Sequence, residues 1–194
     1  WDTKKERLTL ARDRYGEKPL YYGWVNRSFL FGSQLKAFKE FPAFSNQLST
    51  HAITQYFRFN YVPAPLSIYQ DIFKLEPGCF IELDKKNISD KTLNVQQYWS
   101  LSEIITQAKN NLITDETKAL KTLSAQLKST IKDQMISDVP LGAFLSGGID
   151  SSLIVSMMQE QSKTPIKTFT IGFDDKTYDE SIYAKSVANH LGTD

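Results

Sequence analysis

The stretch Ala143-Phe144-Leu145-Ser146-Gly147-Gly148-Ile149-Asp150-Ser151-Ser152, followed by Leu153-Ile154-Val155, constrains this chain more than any other. It reads as a buried strand that turns on two glycines and runs straight into a helix. Small residues at the turn let backbone N–H groups converge on one volume, and adjacent glycines readily take positive φ. The helix adds its unpaired N-terminal N–H groups and the positive end of its dipole, so the turn is a ready anion site, best suited to phosphate. Hydroxyls of Ser146, Ser151 and Ser152 can reach phosphate oxygens. Asp150 is repelled by a phosphate unless a cation lies between them, and a bridging Mg²⁺ resolves that conflict, making Asp150 the candidate metal ligand. Read as a bare turn, Ser-Gly-Gly is only a flexible loop with Asp150 and Ser151 as helix N-cap residues. The order of strand, Ser-Gly-Gly-x-Asp-Ser and helix favours the anion site. No Gly-Lys-Ser/Thr follows, and no G-x-G-x-x-G is present, which separates the loop from the Walker and dinucleotide fingerprints.

Composition limits the partners. The 194 residues suffice for one sizeable domain or two small ones, and 41% hydrophobic with 12% aromatic residues can bury a core. With 23 basic against 22 acidic residues and no long block of either sign, bulk charge points to neither nucleic acid nor membrane. There is no apolar run near membrane-spanning length, and the opening residues are polar, unlike a signal peptide. The single cysteine, Cys79, excludes an internal disulfide and fits a reducing, cytoplasmic location. A start at Trp1 and an end just after one strand–helix–strand unit lead us to expect part of a longer protein.

In chain order, 8–11, 20–25 and 29–32 read as three short antiparallel strands in a meander, with turn chemistry at Gly16 and Pro19. A helix is predicted over 34–41, capped by Ser33 and stopped by Pro42, and another over 49–57 with Ser49 or Thr50 as its cap. Pro63 and Pro65 exclude regular structure at 61–65. The aromatics Tyr56, Phe57, Phe59, Tyr61, Tyr69 and Phe73 have few basic neighbours, so a buried domain face is expected there rather than a nucleic-acid platform. A strand is predicted over 79–84, a turn at Lys85-Lys86-Asn87, and a polar strand ending at Tyr98-Trp99. Cys79 sits inside a β-run without a histidine nearby, which suits core better than nucleophile.

From 100 to 115 the polar composition suggests a linker with Ser102 or Thr114 as caps of a short helix. Leu120, Leu123, Leu127, Ile131 and Met135 then recur at helical spacing, with Lys118, Lys121, Lys128 and Lys132 on the outer face. A strand over 142–145, a helix over 150–160 and a strand over 167–173 imply a parallel pair with a right-handed crossover. Ligands bind at the carboxyl ends of such strands, where Ser146-Gly147-Gly148 and Gly172 fall. Thr177-x-x-Glu180 predicts a capping box for a helix over 181–191.

The loop resembles the pyrophosphate loop of the ATP pyrophosphatases, and the longer run Ser137-Asp138-Val139-Pro140-Leu141-Gly142 through Ser152 resembles the glutamine-dependent asparagine synthetase family. Arg12-Asp13-x-x-Gly16-x-Lys18-Pro19-Leu20-Tyr21-Tyr22 resembles a largely scaffolding segment of that family's glutaminase domain, and Tyr61-Val62-Pro63-Ala64-Pro65 and Tyr178-Asp179-Glu180-Ser181 extend the likeness. Gln34 stands where a glutamate is usual. The resemblance implies an α/β and α+β chain: 1–99 as the later part of an N-terminal-nucleophile (αββα) class II glutaminase domain, 100–115 as linker, and 116–194 as the start of an open parallel-sheet synthetase domain. It implies a ligase that makes asparagine from aspartate through β-aspartyl-AMP, with ATP as substrate, Mg²⁺ as cofactor and glutamine or ammonia as nitrogen source; family members are often dimers. Leu145, Ser146, Gly147, Gly148, Asp150, Ser151, Ser152 and Ile171 are the implied ATP and pyrophosphate contacts, with the backbone of Leu145 and Ile171 lining the adenine pocket. The family's glutaminase nucleophile is an amino-terminal cysteine, so no catalytic residue is assigned. Relatives that amidate other carboxylates, and non-catalytic nucleotide binders, are the alternatives.

Overall fold

Strand-forming residues and turn residues alternate quickly through the first half of the chain, and the resulting short elements pair with distant partners. A computed structural model describes residues 1–194 as two units, Trp1–Asn111 and Leu112–Asp194. The first unit runs β1 (Leu8–Ala11), β2 (Tyr21–Val25), β3 (Ser28–Gly32), α1 (Lys36–Lys39), α2 (Thr50–Phe59), β4 (Ile72–Lys74), β5 (Cys79–Leu83), α3 (Lys85–Asp90), β6 (Val95–Gln97) and α4 (Leu101–Ala108). The chain as a whole is mixed α/β.

The predicted meander is only half formed. β2 and β3 make the antiparallel hairpin, turned at Asn26 with φ 55°, but β4 takes the other edge of β2. β1 leaves that sheet and pairs with β5, Leu8 opposite Leu83 and Ala11 opposite Phe80, with β6 on the far side of β5. The reason lies in residues 12–20, which are too many for a tight hairpin and are folded into a turn of their own. There the Arg12 guanidinium donates to the carbonyls of Lys18, Leu75 and Gly16 at 2.9, 2.6 and 2.7 Å. Asp13 accepts from the N–H groups of Glu17 and Lys18 at 2.8 and 3.1 Å. The turn therefore carries the chain from one sheet to the other.

Alternation along the strands sorts the core. Leu10, Cys79, Ile81 and Leu83 of one sheet meet Tyr22 of the other in a single cluster. Val25 and Ile72 point the opposite way and close over Phe38 of α1. α1 is shorter than predicted and Ser33 does not cap it. Phe38 and Ala37 bond three residues back, to Leu35 and Gln34, a tight turn drawn inward by the buried Phe38 ring. α2 starts as predicted, with the Ser49 hydroxyl accepting from Ala52 N–H. Only its first turn is covered, however, and Tyr56, Phe57, Phe59 and Tyr61 are exposed rather than buried. Lys85-Lys86-Asn87 opens a helix, not a turn. Asp84 accepts from Asn87 N–H at 2.8 Å while the Asn87 side chain accepts from Asp84 N–H at 3.1 Å, a reciprocal cap that nucleates α3.

The second unit runs α5 (Glu116–Gln134), β7 (Gly142–Phe144), α6 (Ile149–Gln161), β8 (Lys167–Phe169) and α7 (Ser181–Leu191). The caps of α4 and α5 are Ser100 and Asp115, each one or two positions from those predicted. β7 and β8 are parallel as expected, with Gly142 opposite Lys167 and Phe144 opposite Phe169. Gly142 has no room for a side chain, since an added Cβ would lie 2.4 Å from the Phe169 ring. Leu141, Ala143 and Leu145 alternate onto one face, where α5, α6 and α7 supply Ile131, Met157, Met158, Val155 and Ala184. Phe144 and Phe169 stand on the other face and are exposed. α7 begins where predicted but without the Thr177–Glu180 box; Asp179 instead accepts from Ser181 N–H at 3.1 Å. No helix is long and apolar enough to cross a membrane.

Candidate anion-binding site

The turn from β7 into α6 is set by what surrounds Leu145. Its side chain is fully buried, its N–H donates to Phe169 C=O at 2.9 Å, and its carbonyl accepts from the Thr170 hydroxyl at 2.7 Å. The chain must then leave the sheet at once. Gly147 makes the turn at φ 81°, a conformation that strains any residue with a Cβ. It also lies flush against α7, because an added Cβ would fall 2.7 Å from Ala184 N and from Tyr183 Cβ. Gly148 is the N-cap of α6, with φ −71° and ψ 166°, so neither Asp150 nor Ser151 caps this helix in the usual way.

The hydrogen bonds show which donors remain. Ser152 N–H is the first to enter the helix ladder, donating to Gly148 C=O at 3.0 Å. The N–H groups of Gly147, Ile149, Asp150 and Ser151 have no partner in the chain. Ser146 N–H and Gly148 N–H are held more loosely, at 3.3 Å each, by the hydroxyls of Ser151 and Ser146. Those two hydroxyls lie 2.9 Å apart and bond each other. Unpaired N–H groups at a helix start carry a partial positive charge, and this loop presents them in one turn of chain.

Asp150 is exposed in the first turn of α6, with neither hydrogen bond nor ion pair. No cluster of three or more His, Cys, Asp or Glu residues stands anywhere in the chain. A cation at Asp150 would therefore take one protein carboxylate and complete its shell with ligand oxygens and water, which suits Mg²⁺ beside a phosphate. Ser152 is set apart from the other serines. Its Oγ is buried without a partner, and the residue lines a groove between α6 and α7 with Val187 and His190.

A cavity of about 240 Å³ opens beside the loop, lined by Leu145, Ser146, Ile171, Phe173, Tyr178 and Glu180 among others. Ile171 is exposed and its backbone N–H and C=O are unpaired, whereas the N–H of Leu145 is bonded to Phe169 of β8 and its C=O to the Thr170 hydroxyl just beyond. Phe173, Tyr178 and Glu180 were not expected in the site. The strand-end rule that singled out Gly172 covers Phe173, but only the fold of 174–180 back toward the loop brings the other two. Around that return, hydrogen bonds from Ser181 lower the Asp179 carboxyl and bonds from Thr177 lower that of Asp175.

Cys79 offers no second site. It is buried in the first unit's core, and burial, followed by the charge of Glu76, pushes its thiol up, away from the reactive thiolate.

The fold and the loop together define a two-unit α/β protein whose second unit carries a strand–turn–helix with open backbone N–H groups. Residues 1–99 match the glutamine amidotransferase domain family and residues 122–194 the asparagine synthase family. The whole chain is 38% identical to a Methanocaldococcus jannaschii protein named as a glutamine-hydrolyzing asparagine synthetase, of which it covers 36%. Against asparagine synthetases 1 and 3 of Bacillus subtilis it is 33% and 30% identical over 99% and 94% of its length, covering 28% and 29% of those proteins. The chain belongs to the glutamine-hydrolysing asparagine synthetase family. It spans about a third of the length of the curated relatives it matches.

Proposed function

We propose that the chain belongs to a ligase that makes asparagine, and that its second unit receives ATP with the pyrophosphate on the loop at Ser146, Gly147, Gly148 and Ser151, while Ser152, its N–H in the helix ladder and its Oγ buried, supports the loop from behind. In this reading the aspartate side-chain carboxylate attacks the α-phosphorus of ATP, the bond to the β-phosphate oxygen breaks, and pyrophosphate leaves. Ammonia, taken from glutamine, then displaces AMP from the β-aspartyl-AMP and asparagine is formed. The first step accumulates charge on the departing pyrophosphate, so it needs donors fixed in advance where that charge develops more than it needs a base. The unpaired N–H groups of Gly147, Ile149, Asp150 and Ser151 are such donors. Asp150 would hold Mg²⁺, which supplies charge neutralisation across the phosphates. Ile171, with its free backbone pair, would read the adenine edge, Phe173 and Tyr178 would face the base, and Leu145 would form the cavity floor.

Residues 1–99 are read as the later part of an N-terminal-nucleophile glutaminase domain, 100–115 as a linker, and 116–194 as the opening of an ATP pyrophosphatase-type domain working in the cytoplasm. The single observation that carries the proposal is the set of open N–H groups at the carboxyl end of a parallel strand pair, in a chain whose 122–194 match the asparagine synthase family. The test is pyrophosphate release from Mg-ATP and ammonium by the protein expressed from its complete reading frame. Release that requires aspartate supports the reading. Release only with another carboxylate would move the substrate, and no release would refute catalysis.

A further inference from the structure

The parallel pair of β7 and β8 stops one rung early, and a side chain is what stops it. We propose that Thr170 is a positioning residue for the adenine end of the site: its hydroxyl occupies the Leu145 carbonyl, which keeps the Ile171 N–H out of the sheet and free to donate to a base. The inference rests on the reading of the cavity beside Ile171 as the adenine pocket.

In a parallel ladder a residue donates its N–H to the residue before its partner and accepts at its C=O from the residue after it. The register of β7 and β8, from Gly142 opposite Lys167 to Phe144 opposite Phe169, makes Leu145 and Thr170 the next pair. Leu145 keeps the first half of the rule, its N–H donating to Phe169 C=O at 2.9 Å. The second half would place Ile171 N–H on Leu145 C=O. That carbonyl instead accepts from the Thr170 hydroxyl at 2.7 Å, and since a carbonyl cannot donate, the direction of the bond is fixed. Threonine hydroxyls compete with ladder donors in this way when they reach a carbonyl. The end of β7 is thus held at two points while the Ile171 N–H has no partner in the chain. Ile171 lines the cavity of about 240 Å³ beside the loop. A donor and an acceptor on one residue suit adenine, whose N1 accepts and whose N6 amine donates. Hypoxanthine, with N1–H and O6, reverses both. A valine at position 170 has no hydroxyl, and the Ile171 N–H then falls back onto Leu145 C=O.

Loss of a merely structural hydrogen bond loosens nearby amides, whereas loss of this one should protect an amide. Hydrogen exchange at Ile171 and Leu145 is followed without ligand on the protein from its complete reading frame, on Thr170→Val and on Thr170→Ser. Binding of the magnesium complexes of ATP, inosine triphosphate and pyrophosphate is measured by calorimetry on the same three. In Thr170→Val the Ile171 amide should exchange about 5-fold more slowly or slower still, with Leu145 unchanged. ATP binding should weaken about 5- to 10-fold and the preference for ATP over inosine triphosphate should shrink by a similar factor, while pyrophosphate binding stays within about 2-fold. Thr170→Ser, which keeps the hydroxyl, should restore ATP binding to within about 2-fold. Ile171 exchange that is unchanged or faster in Thr170→Val, equal losses of ATP and pyrophosphate, or no rescue by serine would each overturn the proposal. Should Thr170→Val fold poorly, seen as faster exchange at Leu145, Thr170→Ala is read in the same way. An unsubstituted protein with no preference for ATP over inosine triphosphate would instead count against the adenine reading itself.

Discussion

Each unit contains a turn made by a glycine at positive φ, Gly16 at 69° and Gly147 at 81°, and the two treat their backbone polar groups in opposite ways. At Gly16 the charged side chains of Arg12 and Asp13 use the groups up, the guanidinium taking three carbonyls and the carboxylate two N–H groups. At Gly147 no charged side chain folds in, and the donors from Gly147 to Ser151 other than that of Gly148 stay open. A saturated turn can only hold the chain. An open one has capacity left for a ligand, and that distinction separates scaffold from site more surely than the glycine itself.

The comparison can be broken at several points. Gly147→Val should have the largest effect, because it meets both the positive φ and the backbone of α7 at 2.7 Å. We expect it to destabilise the second unit by roughly 2–4 kcal/mol in urea unfolding and to remove anion binding altogether. Arg12→Met should cost the first unit about 2–3 kcal/mol by leaving three carbonyls without donors, while pyrophosphate binding is unchanged. A loss of binding in Arg12→Met would mean that the two turns are not separable. Asp150→Ala should leave the melting temperature within about 2 °C, as expected for an exposed side chain without partners, and remove the magnesium-dependent part of ATP binding. Magnesium dependence that persists would move the cation elsewhere.

A smaller effect concerns pH. Burial works to raise the Asp13 carboxyl, but backbone N–H bonds, led by those of Lys18 and Glu17, outweigh it and lower the group below 3.8. A depressed carboxylate stabilises the fold above its unfolded value and loses that contribution as pH falls through the folded value. Asp13→Asn should therefore narrow the stability difference between pH 6 and about pH 3, read by thermal unfolding at both. An unchanged difference would contradict the carboxylate's part in the saturated turn. The smallest prediction is kinetic: buried Cys79 should resist alkylation until the first unit unfolds, and ready labelling of the native chain would contradict its place in that core.

The turn at Gly147 was more legible than the first unit because its signal is local. Two glycines between an apolar strand and an apolar helix start restrict the backbone whatever lies elsewhere, and the turn forms at those residues. The switch of β1 to β5 depends on Arg12 reaching Leu75, a contact far along the chain that no window of sequence displays. α3 was hidden for a different reason: its cap is an Asp84–Asn87 exchange inside a polar run that also reads as a turn. Tyr178 and Glu180 were missed because a cavity wall made by a returning loop has no periodicity. The contact between the Ser146 and Ser151 hydroxyls needed distances, since sequence supplies the hydroxyls but not their separation.

The central claim is that the open N–H groups receive the pyrophosphate part of ATP. It is tested most directly by titrating the chain with Mg-ATP, Mg-pyrophosphate and AMP in competition. The account predicts that pyrophosphate displaces ATP, that AMP binds more weakly than ATP, and that Gly147→Val abolishes the difference. AMP binding as tightly as ATP, with no competition from pyrophosphate, would contradict it.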